Sequence, residues 1–195
     1  MQALRPAAAG LAQDEEGLNV GSGLPSAAGD NLGLGDMFLS IKGAKSGPIK
    51  GESIDKTHAN EIDVVSWSWG MQARQSLGGG VATGKAAMRE LKVVKRVDSA
   101  STALMSALRS NELILKAVLT LRKAGKSPLE YLKITIEQGR VTGLNIEAGD
   151  RTASAEMFED VTFSFNKITV EYTPQGADGQ GKGGMMFADQ FDELA

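Results

Sequence analysis

One run in the chain could hold a nucleotide: Gly79-Gly80-Val81-Ala82-Thr83-Gly84-Lys85 fits the first seven positions of a phosphate-binding loop. Such a loop cradles phosphates with backbone N–H groups and needs Ser or Thr straight after the lysine to hold magnesium. Ala86 stands there instead. The segment before the run alternates serines with apolar residues, as an antiparallel strand does, and no apolar strand ending in Asp follows to supply a second metal ligand. The run therefore reads as a Gly-rich connection between strands, and no nucleotide is expected.

Other chemistry is thinner still. His58 is the sole histidine, so any Ser-His-Asp triad or His-based metal site must use it. Its neighbours Asp55, Lys56, Thr57, Asn60 and Glu61 read as a polar turn, which predicts a solvated side chain. No Gly-x-Ser-x-Gly nucleophile elbow occurs, and the carboxylates are scattered singly. The absence of cysteine excludes disulfides, thiolate catalysis and Cys-ligated metal. Trp67 and Trp69 could stack on bases or sugars, but they share a parity with Val65 and Met71 and read as core. No catalytic residue, cofactor or metal is expected, and the chain reads as a non-enzyme.

Charge points to no obvious polyanionic partner. The net charge is −3, divided as −4 over residues 1–36, +4 over 37–175 and −3 over 176–195. The basic middle mixes nineteen cations with fifteen anions, the pattern of an ordinary solvated surface, so no nucleic acid is expected. No apolar run approaches the roughly eighteen residues that read as a membrane span, and no membrane insertion is expected. The apolar patch Ala7–Leu11 is short and is followed by Asp14, Glu15 and Glu16, which is wrong for a Sec signal peptide. Export would need a route that does not read such a signal.

The elements that carry these residues are mostly strands. Alternation with period two places Leu39 and Ile41 in a first strand, and Val65, Trp67, Trp69 and Met71 on one face of another, opposite Ser66, Ser68 and Gln72. It adds Leu91 and Val93, then Leu115, Ala117, Leu119 and Leu121, then Leu132, Ile134 and Ile136. Thr142, Leu144 and Ile146 read as the hairpin partner of that last strand, with a turn at Gln138-Gly139. Val161, Phe163 and Phe165 have one parity and Ile168, Val170 and Tyr172 the other, which predicts a bulge or face swap at Asn166-Lys167. A single short helix is predicted, capped by Asp98 or Ser99, with Leu104, Met105 and Leu108 on its buried face, ending at Ser110-Asn111. Seven or eight strands and one helix give a mainly β fold, a small two-sheet β-barrel with a flanking helix. Residues 1–36 read as a flexible arm, 37–175 as the barrel domain and 176–195 as a Gly-rich tail. Met185, Met186, Phe187 and Phe191 in that tail suggest a docking segment, onto a neighbouring subunit, or else a frayed end.

Several runs are more specific than these patterns. Met37-Phe38-Leu39, Lys50-Gly51-Glu52-Ser53, Asp55-Lys56-Thr57-His58, Glu61-Ile62-Asp63-Val64 and Ser66-Trp67-Ser68-Trp69-Gly70-Met71 occur in order. The glycine stretch, Gly84-Lys85, Lys95-Arg96-Val97-Asp98, Leu104-Met105 and Val118-Leu119-Thr120-Leu121-Arg122-Lys123-Ala124-Gly125 follow them. Glu130-Tyr131-Leu132-Lys133-Ile134-Thr135 and Val170-Glu171-Tyr172 with Pro174 complete the series. Over about residues 36–175 the chain resembles the haemolysin-coregulated protein (Hcp) family of bacterial type VI secretion systems. The arm before Asp36 is longer than that family's, and the loop from Asn145 to Arg151 is short and lacks a glycine cluster.

The resemblance implies a homo-hexameric ring and rings stacked into a hollow tube. It also implies a contractile sheath around the tube, a VgrG-type spike at its tip and effector proteins in its lumen. It implies assembly in the bacterial cytoplasm, then expulsion to the exterior or into a target cell. The long connection from Gly70 to Gly84 suggests a ring-stacking loop, with Gln72, Arg74, Gln75, Gly78, Gly79 and Gly80 as its candidate residues. A tail-tube subunit of a phage or other contractile machine is the alternative of the same kind. A small-molecule-binding β-barrel is the alternative of a different kind.

Overall fold

Alternating side chains build the strands, and their inward members fill the space between two halves of one barrel. The computed structural model describes residues 35–73, 86–123, 128–148, 157–176 and 179–191. Those residues lie within one unit, Asn31–Ala195. They form β1 (Asp36–Gly43), β2 (Gly47–Ile49), β3 (Ile62–Ser68), β4 (Met71–Gln72), β5 (Ala87–Met88) and β6 (Leu91–Arg96). Helix α1 (Ser101–Arg109) follows, then β7 (Ile114–Lys123), β8 (Leu129–Ala148), β9 (Met157–Ser164), β10 (Lys167–Tyr172) and β11 (Met185–Gln190).

Neighbouring strands run β8-β7-β1-β3-β6-β9, and β9 returns to pair with β8, which closes a six-strand barrel. All of these pairings are antiparallel. Inside lie Leu39, Ile41, Ile62, Leu91, Val93, Leu119, Ile134, Ile136, Val141, Val161 and Phe163, every one buried. Burying each such side chain contributes about 1.5–3 kcal/mol.

Closure depends on β8. The sequence suggests a hairpin turn at Gln138-Gly139, with Thr142, Leu144 and Ile146 returning beside Leu132–Ile136. The structure has instead one twenty-residue strand. Its first half pairs with β7 and β10, and its second half pairs with β9. Gln138 takes φ 53°, which redirects the chain without reversing it. At Gly139 a Cβ would lie 2.4 Å from the Ser164 carbonyl oxygen, so only glycine lets the two backbones meet.

Three bulges alter the parity read from the sequence. The register of β3 on β6 slips between Val64 and Ser66. Ile62 and Val64 are therefore buried, Trp67 and Trp69 pack against the core, and Val65 loses its place among them; Met71 is 49% exposed. On β7 the slip leaves Leu115 without a partner on β1, and it is 40% exposed while Ile114 is buried. On β8 the slip lies at Thr142, whose hydroxyl bonds to Glu90 at 2.7 Å on the outside. Asn166 lies at the bend where the chain leaves β9, in one half, and enters β10, in the other.

Of the strands outside the barrel, β2 pairs with β1, β4 pairs with β5, and two more extend the sheet beyond β8. β10 pairs with β8, and β11 pairs with β10 from Lys167↔Gln190 to Tyr172↔Met185. Residues 185–190 of the Gly-rich tail thus extend the sheet of their own chain. Val170 and Tyr172 lie opposite Ile134 and Leu132 and share their core-side parity, as do Phe187 and Met185 beyond them. Past the barrel no second layer covers that parity among the described residues: Tyr172 is 42%, Phe187 40% and Met185 67% exposed.

Helix α1 buries Ser101, Leu104 and Ala107, whereas Met105 points outward. Ala100 is its N-cap and makes no side-chain cap bond. Asp98 accepts a hydrogen bond from the Ala100 N–H at 2.9 Å instead. What pins this end is ionic. Lys95 Nζ, fully buried, contacts Glu159 Oε1, donates to the Arg96 carbonyl at 2.8 Å and pairs with Asp98 at 2.7 Å. The Ser101 hydroxyl donates to the same Glu159 oxygen at 2.9 Å. Helix, β6 and β9 are tied at one point.

Removing one charge from that pair strands the other. Lys95→Met is expected to cost about 3–5 kcal/mol in urea unfolding, and Lys95→Met with Glu159→Leu to recover most of it. Gly139→Ala is expected to cost about 1–3 kcal/mol by the same measurement, because the backbones must separate.

Candidate functional site

A set of interlinked polar side chains covers one end of the barrel, where the loop of residues 50–61 meets β1, β7 and β8. The loop is held to itself by backbone bonds: the Gly51 N–H to the Asn60 carbonyl at 2.9 Å, the Ser53 N–H to Glu61 at 3.0 Å and the Asn60 N–H to Ser53 at 2.9 Å. Gly51 permits this, since a Cβ there would lie 2.5 Å from the Glu61 carbonyl oxygen.

Asp55 organises the turn and ties it to the barrel. Its Oδ1 accepts from the Thr57 N–H at 2.8 Å, the Thr57 hydroxyl at 2.7 Å and the His58 N–H at 3.2 Å. Its Oδ2 accepts from Arg122 Nη2 at 2.6 Å. The same nitrogen donates to Asp36 at 2.7 Å, so one guanidinium on β7 joins the start of β1 to the loop. Arg122, then Thr57, hold the Asp55 carboxyl well below the usual carboxylate range, and Asp55, then Asp36, raise Arg122 above its ordinary value. Arg122 also lies 5.0 Å from the Phe38 ring centroid. Ile54, between anchored neighbours, is 98% exposed.

His58 departs from the solvated turn residue read from the sequence. It is 7% exposed and stacks on Phe38 with centroids 4.2 Å apart and planes 9° from parallel. Its Nδ1 lies 2.9 Å from Glu61 Oε2. Its Nε2 lies 3.3 Å from Glu130 Oε1 on β8, without the alignment of a hydrogen bond. Phe38 is the outward residue between Met37 and Leu39, and His58 of the loop and Arg122 of β7 cover it.

Of the stacking residues proposed from sequence, Gln72 is exposed in β4, pairs with Ala87 of β5 and accepts a 2.8 Å bond from Arg89 Nη2. Arg74, Gln75, Gly78, Gly79 and Gly80 lie outside the described residues, as does the loop-like run ending at Lys85. Elsewhere an open depression of about 250 Å³ on the outer face of β3, β6 and β9 is lined by Ser66, Trp67, Ser68, Lys92, Val94, Asp160 and Thr162. Among the described residues no three His, Asp or Glu side chains converge as a metal-ligand set. The arrangement is a surface loop tied to the barrel by the Asp55–Arg122 ion pair and by the stack of His58 on Phe38.

Similarity to known proteins agrees with that architecture. The family described as "Type VI secretion system effector, Hcp" matches residues 38–172. Protein hcp1 of Pseudomonas aeruginosa is 41% identical over 152 residues, which cover 76% of this chain and 90% of that protein. The crystal structure of Hcp1 from Salmonella typhimurium superposes with a TM-score of 0.64 at 32% identity, covering 81% of this chain and 95% of that one. A type VI secretion system effector from Yersinia pestis gives a TM-score of 0.61 at 29% identity, covering 80% and 99%.

Because the Asp55 pKa is depressed, its contribution to folding is present above the unfolded value near pH 4 and is lost only as pH falls through the lower folded value. The Asp55 carboxylate is therefore expected to stay ionised from pH 8 to pH 4, read as an unchanging side-chain carboxyl carbon shift in NMR. Arg122→Met is expected to reduce the amide protection of residues 51–58 at least about tenfold in hydrogen exchange at a single pH, while the β8–β9 amides stay protected.

Proposed function

The chain belongs to the Hcp family and is a type VI secretion tube subunit, and from that premise we propose how it works: six copies close into a ring, and rings stack head to tail into a hollow tube. The tube assembles in the cytoplasm, holds effector proteins in its lumen and carries a VgrG-type spike at its tip. A contractile sheath expels it. The role is structural, not catalytic, and the barrel with its β10–β11 extension is the unit that assembles.

The observation that carries this reading is a filled barrel with an uncovered extension. A barrel packed with Leu39, Leu119, Ile134, Ile136 and Phe163 has its interior occupied by its own side chains, which disfavours a small-molecule carrier. The β10–β11 extension meanwhile exposes Tyr172, Met185 and Phe187 on its core-side face. A contiguous apolar face of this kind marks a protein contact, and a head-to-tail contact that closes by rotation makes a ring.

Negative-stain images of the purified full chain are expected to show six-fold rings, and a population of single chains at high concentration would contradict the proposal. Met185→Asp with Phe187→Asp is expected to dissociate the rings while the circular dichroism of the barrel is unchanged. Deleting Ser76–Thr83 is expected to leave rings intact and shorten the tubes. Tubes of unchanged length would remove Gln72, Arg74, Gln75, Gly78, Gly79 and Gly80 from the stacking contact.

A further inference from the structure

We propose that His58 is a proton-controlled clasp between the loop of residues 50–61 and strand β8, closed when the imidazole carries two protons and loosened when it carries one. The proposal stands on the geometry of the loop and does not depend on the tube reading. Its basis is the pair of carboxylates that the ring faces. Nδ1 is 2.9 Å from Glu61 Oε2 on the loop, and Nε2 is 3.3 Å from Glu130 Oε1 on the barrel. A neutral imidazole has one N–H donor and one bare lone pair. Between two carboxylates it can satisfy one and must turn its lone pair toward the other. The cation donates to both, and a small rotation on Phe38 aligns the second bond. Charge-assisted bonds of this type contribute more than neutral ones.

Every element packed on the ring adds to the charge it meets. Asp55 and Glu61 lie on its own loop, Asp36 on β1, Arg122 on β7, and Glu130 and Lys133 on β8. Arg122 is engaged by Asp36 and Asp55, and Lys133 Nζ lies 3.4 Å from Glu130 Oε2. The Phe38 ring lies against both His58 and Arg122. Histidine is the side-chain type that ordinarily changes charge between pH 5 and 8, and this chain has one. The Asp55–Arg122 tie keeps its charges through that window, so the loop has one fixed anchor and one switched by protons. What the switch governs is how firmly the loop that exposes Ile54 is pinned to the barrel.

Hydrogen exchange of the full chain at pH 5.5 and pH 8.0, corrected for intrinsic rates, reads the clasp directly. The amides of residues 51–61 are expected to be at least about fivefold better protected at pH 5.5, with β1 and β7 amides unchanged. Because the ring signals in the NMR spectrum come from one histidine, its protonation curve and the protection curve are expected to coincide. Glu130→Gln and His58→Gln, which leave the Asp55–Arg122 pair in place, are each expected to abolish the pH dependence. Equal protection at both pH values, curves that do not coincide, or full pH dependence in Glu130→Gln would overturn the proposal.

Discussion

β8 enters both halves of the barrel because Gln138 bends the chain and Gly139 has no side chain to hold Ser164 away. One strand therefore hydrogen-bonds β7 along its first half and β9 along its second. That shared strand makes the sheet a closed barrel, and closure removes the edges that six strands would otherwise offer to other chains. It also decides which strands are left over. β10 can pair with β8 only on the side that β7 does not use, so β10 and β11 project beyond the barrel with their core-side face uncovered.

Two ionic ties complete the frame, and burial separates their roles. Lys95 and Glu159 have no exposed surface, so their pairing is obligatory once helix and strands have packed around them. Such a pair specifies where the helix docks more than it adds stability. Arg122 sits near the surface and joins segments far apart in sequence, Asp36 and Asp55. Through it the loop is tied to the barrel's surface at Asp55. At the other end Glu112 does similar work, accepting the Ser46 and Lys45 N–H groups at 2.7 Å each, and those bonds hold its carboxyl below the ordinary range.

Much of the barrel was legible because alternation reports burial directly: Leu39 and Ile41, Leu91 and Val93, Ile134 and Ile136 are all inside. The parity change around Asn166 also announced the passage between halves. Bulges were not legible, since a slip opposite Val65, Leu115 or Thr142 is a property of two strands and each strand carries half of it. Gln138-Gly139 has the composition of a turn, and nothing local distinguishes a bend from a reversal. His58 misled in a different way: it reads as a solvated turn residue until the fold brings Phe38, Glu61 and Glu130 to it. The family resemblance ran through Lys50–His58 in the sequence, but the reason for those residues appears only when Arg122 and Phe38 lie beneath them.

The barrel closes within one chain, and its β10–β11 overhang is left exposed. A strand-resolving electron cryo-microscopy reconstruction of assembled rings tests this most directly. It is predicted to show β8 and β9 paired within each subunit, with the Tyr172, Met185 and Phe187 face of each subunit covered by the next. Rings in which β11 faces solvent, or in which β9 pairs with the β8 of another subunit, would contradict it.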